Sequence, residues 1–266
     1  MKKLTTVFAA AAALVFAAAV AQPVKAQEVL RIGVEGAYPP FSWKEPDGTL
    51  KGFDIDIATV LCARMNRECV LVEQDWDGII PALLAKKYDA IIASMSITEE
   101  RKKRVDFTDK YYNTPAKFVA SKSADFEPTA EGLSGKVVGL QRGTIHQCYM
   151  EKAFPDVELK LYGTQEEVFL DLAAGRIDAQ ISDSIQALEG FLSKDEGADY
   201  AFLGGDQFDL ECHGEGAGIA VRKGEDELRK NLNAAIQAIR KDGTYKTIND
   251  EYFDFDIYGE ELPSAS

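Results

Sequence analysis

The apolar positions change period several times along the first half of the chain. Leu30, Ile32 and Val34 alternate with polar or small residues, as in a strand with one buried face, and the loop Gly36-Ala37-Tyr38-Pro39-Pro40 follows. Ile57, Val60, Leu61 and Met65 then recur at three- and four-residue steps, predicting a helix. Residues 70–72 read as a second strand, 79–85 as a second helix, and 90–93 as a short, fully apolar strand of the kind buried in parallel sheets. Thr98 is placed as the N-cap of a helix running through Val105.

The second half repeats this grammar. Strands are predicted at 137–140, 159–162 and 177–181, with a helix from about Gln147. Thr164 and Glu167 have capping-box spacing for another helix, which Gly175 would close. Asp183 stands where it could N-cap a helix over 185–192. Offset by 89 positions, residues 79–90 align with 168–179. Leu83/Leu172, Ala85/Ala174, Asp89/Asp178 and Ala90/Ala179 are identical. Strands separated by helices imply βαβ units and parallel sheets, so the expectation is an α/β protein of two similar lobes.

In such sheets ligands bind beyond the carboxyl ends of the strands. That singles out residues 35–41, 93–101, 141–147 and 182–183, and the repeat sets Ser94 opposite Asp183. A cleft between the lobes is expected.

Charge narrows the function. With 30 Lys+Arg against 44 Asp+Glu, the chain carries a formal charge of -14. Lys2 and Lys3 precede an apolar run over 4–20 that ends in Ala19-Val20-Ala21, and a second small-residue site follows at Val24-Lys25-Ala26. This reads as a secretory signal peptide over 1–26, with Ala21 as the other cleavage point. Its removal takes three lysines and no acid, leaving 27 bases, 44 acids and a charge of -17. So acidic a chain repels phosphate backbones, which excludes nucleic acid. An exported, soluble, acidic protein is expected.

Export makes the four cysteines a disulfide question. Cys62 and Cys69 lie between a helical and a strand pattern, where a local bridge would staple one to the other. Cys148 and Cys212 offer a second bridge. His146 and His213 beside them leave zinc as an alternative, although the spacing matches no standard finger.

Two sets of side chains carry candidate chemistry. Ala93-Ser94-Met95-Ser96-Ile97-Thr98-Glu99-Glu100-Arg101 offers hydroxyls, free N–H groups and a guanidinium whose planar fork suits a carboxylate. The basic run 101–104 could equally be a solvated face. Glu35, with Tyr38, Phe41 and Trp76 as candidate neighbours, has the chemistry to hold a cation by ion pairing and cation–π contact. No G-x-S-x-G, H-E-x-x-H, P-loop or G-x-G-x-x-G is present. Neither catalysis, a cofactor nor a bound metal is expected.

Three stretches then become recognisable: Gly52-Phe53-Asp54-Ile55-Asp56-Ile57-Ala58, the segment from Asp89 through Arg101, and Val105-Asp106-Phe107-Thr108. With Asp242-Gly243-Thr244-Tyr245 and the ending from Tyr252 to Gly259, they make the whole mature chain resemble the polar amino-acid solute-binding proteins of bacterial ABC importers. Within that family it is most similar to the histidine, lysine/arginine/ornithine, octopine and nopaline binders. The resemblance implies the two-lobe type II periplasmic-binding-protein fold, a monomer closing by hinge motion, and an inner-membrane ABC permease as partner. It puts lobe 1 at 27–113 plus 218–266 and lobe 2 at 114–217.

Carried over by position, the resemblance gives Arg101 the ligand α-carboxylate, helped by Ser96 and the backbone of Ser94 and Thr144. Asp183 takes the α-ammonium, Tyr38 and Trp76 sandwich the side chain, and Glu35 meets its distal cation. Ala93, Met95, Gln141, Gly143, Ile145 and His146 complete the expected site. Ala93 stands where relatives often carry a hydroxyl, and Ile145 and His146 where Thr and Gln are usual. A cationic amino acid, arginine-like first, is the expected ligand. An opine is the alternative, its second carboxylate met by His146, Gln141 or the N–H of Gly143. A more distant alternative is an enzyme like the cyclohexadienyl dehydratases, which share the fold.

Overall fold

The computed structural model describes residues 28–259. The predicted signal peptide lies outside them.

The first part of the chain runs β1 (Glu28–Val34), β2 (Ala37–Tyr38), β3 (Ser42–Lys44), β4 (Leu50–Lys51), α1 (Phe53–Arg64), β5 (Arg67–Glu73), α2 (Trp76–Leu84), β6 (Ala90–Ile91), α3 (Glu99–Lys102) and β7 (Val105–Tyr112). It continues as β8 (Ala116–Ser121), β9 (Val137–Gln141), α4 (Ile145–Ala153), β10 (Glu158–Tyr162), α5 (Gln165–Ala173), β11 (Ala179–Asp183), α6 (Ser184–Ala187) and β12 (Tyr200–Gln207). The return leg is α7 (Leu210–His213), β13 (Ala217–Arg222), α8 (Asp226–Lys241) and α9 (Thr244–Tyr252).

Two five-stranded sheets form, in the orders β5-β1-β6-β13-β7 and β10-β9-β11-β8-β12. In each, the first three strands are parallel and the fourth runs antiparallel to both neighbours. The fourth strand of either sheet is the one the chain enters on crossing from the other. Both faces of both sheets are covered. In the first, Leu30, Ile32 and Val34 face a core shared with α1, α8 and α9, while Ile91, Val105, Phe107 and Ala220 face α2. This explains why β6 is apolar throughout.

The sequence repeat is a structural repeat. The 89-residue offset carries α2 onto α5 residue for residue, and the first residue of β6 onto that of β11. The identical aspartates do the same job in each copy. Asp89 Oδ2 accepts from Arg31 N at the edge of β1 and Asp178 Oδ2 from Val137 N on β9, while their own amides bond Arg31 O and Val137 O.

Local signals hold with some corrections. Thr164 and Glu167 form a reciprocal capping box, and Gly175 takes φ +65 just beyond α5. Thr98 does cap a helix, but that helix is one turn, not a run to Val105. Val105 and Phe107 alternate into the core as the start of β7. α4 begins at Ile145 rather than Gln147. Ladder pairing in the predicted strand over 90–93 stops at Ile91, where the chain turns into the cleft. Asp183 sits at the N-cap position of α6 without a side-chain cap bond, its carboxylate being used elsewhere.

Both disulfides are formed, Cys62–Cys69 joining α1 to β5 and Cys148–Cys212 joining α4 to α7. The second takes the thiolates that the zinc alternative needed.

Candidate functional site

One pocket between the sheets is lined by Glu35, Tyr38, Trp76, Ala93, Ser94, Ser96, Arg101, Gln141, Thr144, Ile145, His146 and Asp183. Strand ends supply most of it. Glu35 follows β1, Ala93 and Ser94 follow β6, Gln141 ends β9 and Asp183 ends β11, the crevice that open parallel sheets leave at their carboxyl edges. Trp76 opens α2, and Thr144 is the N-cap residue before Ile145 and His146 in α4.

Two expected residues do not line it. Met95 is fully buried in the core with Ile97 and Phe107, and its carbonyl accepts from Gly218 N. Gly143 reaches the cleft only through its carbonyl, which accepts from the Trp76 indole at 3.3 Å.

The two sides of the cleft touch. Tyr38 Oη donates to Asp183 Oδ2 at 2.7 Å, Gln141 Nε2 donates to Glu35 Oε1 at 2.6 Å, and Arg142 Nε donates to Asp77 Oδ2 at 3.0 Å. With the Trp76–Gly143 bond, these hold the cleft closed.

Arg101 is partly buried. It donates to Ser96 O at 2.9 Å, and its guanidinium carbon lies 5.2 Å from the centre of the Trp76 ring. It forms no ion pair among the described residues. Desolvation brings its pKa down to about 10, against the pull of Asp183. A guanidinium kept from water without a carboxylate is costly, and an incoming carboxylate removes that cost.

The acids of the cleft are desolvated as well. Burial raises Glu35 to about 7; the Gln141 hydrogen bond opposes this, and Asp75, Asp54 and Asp77 add to it. Burial raises Asp183 to about 6 against hydrogen bonds from Tyr38 and Thr114 and the charge of Arg101. A cation beside either carboxylate would favour its ionised form. His146 Nε2 lies 3.9 Å from Asp183 Oδ1, but burial, with His213 and Arg101 nearby, holds its pKa well below the usual histidine range. It is neutral, and the approach is not an ion pair.

Sequence reasoning missed Asp54, Tyr111 and the Asp77–Arg142 pair. Asp54 Oδ2 accepts from Ser94 Oγ at 2.9 Å and its Oδ1 accepts from Tyr111 Oη at 2.7 Å, while Ser94 N meets Tyr111 Oη at 3.3 Å. Asp54 lies in the motif Gly52-Phe53-Asp54, but an acid in a helix's first turn reads as dipole compensation and gives no sign of burial.

Comparison with known proteins agrees with this architecture. An L-arginine-binding protein of Pseudomonas aeruginosa is 51% identical over 236 residues, covering 88% of this chain and 91% of that protein. The histidine-binding periplasmic protein of Escherichia coli K12 is 43% identical over 261 residues, 97% of this chain and 100% of that protein. A solved structure of an ancestral arginine-binding protein bound to arginine superposes with a TM-score of 0.79 at 39% identity, covering 85% of this chain and 99% of that one. The fold is therefore that of the type II periplasmic amino-acid-binding proteins. Residues 30–255 match the model of the bacterial extracellular solute-binding proteins, family 3, and the chain belongs to that family.

Proposed function

We propose that this protein captures a cationic α-amino acid, L-arginine first, in the closed cleft and delivers it to an ABC permease in the inner membrane. The observation that carries the reading is the charge pattern of the cleft: an ion-unpaired guanidinium at Arg101, with desolvated carboxylates at Asp183 and Glu35. An α-amino acid with a cationic side chain supplies the complement: its carboxylate to Arg101, its ammonium to Asp183 and its distal cation to Glu35. The names of the relatives point the same way.

Three details favour a plain amino acid over an opine. Gln141 Nε2 is already committed to Glu35 Oε1 and Gly163 O, Gly143 N donates to Gln147 Oε1, and His146 is neutral and buried. Of the groups that would have met a second carboxylate, only His146 keeps a donor, and it offers one N–H without a charge.

Closure follows as a population shift, because the ligand touches both lobes only when they meet. The lobe limits proposed are 27–113 with 218–266, and 114–217. In this reading the protein is a periplasmic monomer and a carrier rather than an enzyme, and purified protein leaves prephenate unchanged. A thermal-shift screen over amino acids and opines tests the ligand. L-Arginine at about 100 times its Kd should stabilise by about 2.7 kcal/mol. No shift with arginine, lysine, ornithine or histidine contradicts the reading.

A further inference from the structure

Ser94 is the cleft residue with the least ordinary backbone. Three non-glycine residues have positive φ among those described: Asn66, Lys86 and Ser94. Asn66 and Lys86 each follow the C-terminal end of a helix, where a left-handed residue is a common terminator. Ser94, at φ +54, ends no helix; it follows β6 and faces the ligand cleft. A left-handed serine persists there only if its surroundings hold it.

Asp54 is what holds it. The side chain is fully buried, and each carboxylate oxygen accepts from a different hydroxyl, Ser94 Oγ and Tyr111 Oη. Tyr111 Oη also meets Ser94 N, so the three groups close a ring around Ser94. No cation pairs with Asp54 among the described residues, and burying an acid without one is expensive. Compensation of the helix dipole does not require that expense, since Asp56 in the same first turn is partly exposed. With its N–H and its hydroxyl proton both committed, Ser94 has no donor left for a ligand, only acceptors, its carbonyl first among them. A carbonyl is an acceptor, suited to an ammonium and not to a carboxylate.

We propose that Asp54 is a positioning residue for the ligand's α-ammonium, fixing Ser94 so that its carbonyl serves lobe 1 as Asp183 serves lobe 2. The repeat gives this a simple form, because Ser94 and Asp183 are equivalent positions. On lobe 2 the carboxylate stands in the cleft. On lobe 1 it stands one residue behind, acting through Ser94 and Tyr111. The proposal rests on the function read above, and the test keeps the two apart.

Calorimetric titration of L-arginine into the wild type, Asp54→Asn, Ser94→Ala and the double variant tests it. The amide keeps the shape of Asp54 but offers one acceptor oxygen instead of two. Each single variant should weaken binding roughly tenfold, as loss of an outer-shell partner typically does. The double variant should lose no more than the weaker-binding single variant, because both changes break one linkage. Displacement titration with 5-guanidinopentanoate, which lacks only the α-ammonium, should show Asp54→Asn and wild type equal within about twofold. Losses that add in the double variant, an equal loss for the analogue, or arginine binding unchanged in Asp54→Asn would each overturn the assignment.

Should Asp54→Asn fail to fold, Tyr111→Phe removes one hydroxyl from the ring and should still weaken arginine a few-fold and leave the analogue alone; unchanged arginine binding there overturns the proposal too. If wild type binds no arginine, the functional reading is what fails. The same cycle is then run with the amino acid that wild type does bind.

Discussion

The two sheets are built to one plan and finished differently. In each, the strand before the first βα turn carries a glycine where the next strand's approach leaves no room. A Cβ on Gly33 would meet the Tyr88 ring at 2.5 Å, and one on Gly139 would meet Ile177 Cδ1 at 2.4 Å, with Tyr88 and Ile177 themselves 89 positions apart. The aspartates that follow, Asp89 and Asp178, tie the same strand edge. The copies diverge at the cleft. Lobe 2 ends its strand in Asp183, a direct carboxylate, whereas lobe 1 ends in a left-handed Ser94 backed by Asp54, followed by the one-turn helix that carries Arg101. Shared positions maintain the fold; the positions that differ carry the charge that a ligand would read.

Changes to the paired features should therefore separate stability from binding. The disulfides lie one in each half of the comparison, with sequence separations of 7 for Cys62–Cys69 and 64 for Cys148–Cys212. Chain entropy gives the longer loop the larger effect. Replacing Cys148 and Cys212 by Ser should cost about 4 kcal/mol and the Cys62/Cys69 pair about 2–3 kcal/mol in denaturant unfolding. Equal costs would mean that strain or residual structure, not loop length, governs both.

At the cleft, Arg101→Ala should weaken L-arginine by about a hundredfold or more, near 3 kcal/mol, by leaving the ligand carboxylate desolvated and unpaired. Asp183→Asn should act in the same direction on the ammonium. Neither should lower the ligand-free melting temperature appreciably, and calorimetry with unfolding scans checks both points. For the paired glycines the expected order is reversed. Gly33→Ala should destabilise by about 2 kcal/mol and Gly139→Ala by about 1, because the Tyr88 ring cannot turn aside as the end of an isoleucine can.

Protonation gives a finer test. Glu35, raised to about 7, and Asp183, raised to about 6, are partly neutral in mildly acidic solution, and a bound cation favours their ionised forms. Affinity for arginine should be full above pH 7.5 and fall as pH drops through 7 and 6, by roughly tenfold or more at pH 5.5, with protons released on binding. Titrations in buffers of different ionisation enthalpy measure the release. In Glu35→Gln the upper part of the fall should vanish while the part belonging to Asp183 stays.

Much of this was legible in the sequence because period-2 and period-3.6 patterns, capping residues and the 89-residue repeat are all local signals. Those signals set the two lobes opposite one another and place Ser94, Arg101 and Asp183 at one crevice. They could not give the length of α3, where the burial of Val105 and Phe107 in a sheet overrides a good cap at Thr98. Nor could they give Asp54, whose partners Ser94 and Tyr111 lie 40 and 57 residues away. Met95 was misplaced because only the fold decides which side of a short strand end turns to the core.

Selection of a cationic side chain by the Glu35 carboxylate is reached directly by one comparison. L-Arginine and L-citrulline have nearly the same shape and differ in distal charge. Titrated into wild type and Glu35→Gln, arginine should lose about tenfold in affinity, about 1.4 kcal/mol, while citrulline changes little. Equal losses for the two ligands, or none for arginine, would contradict the account.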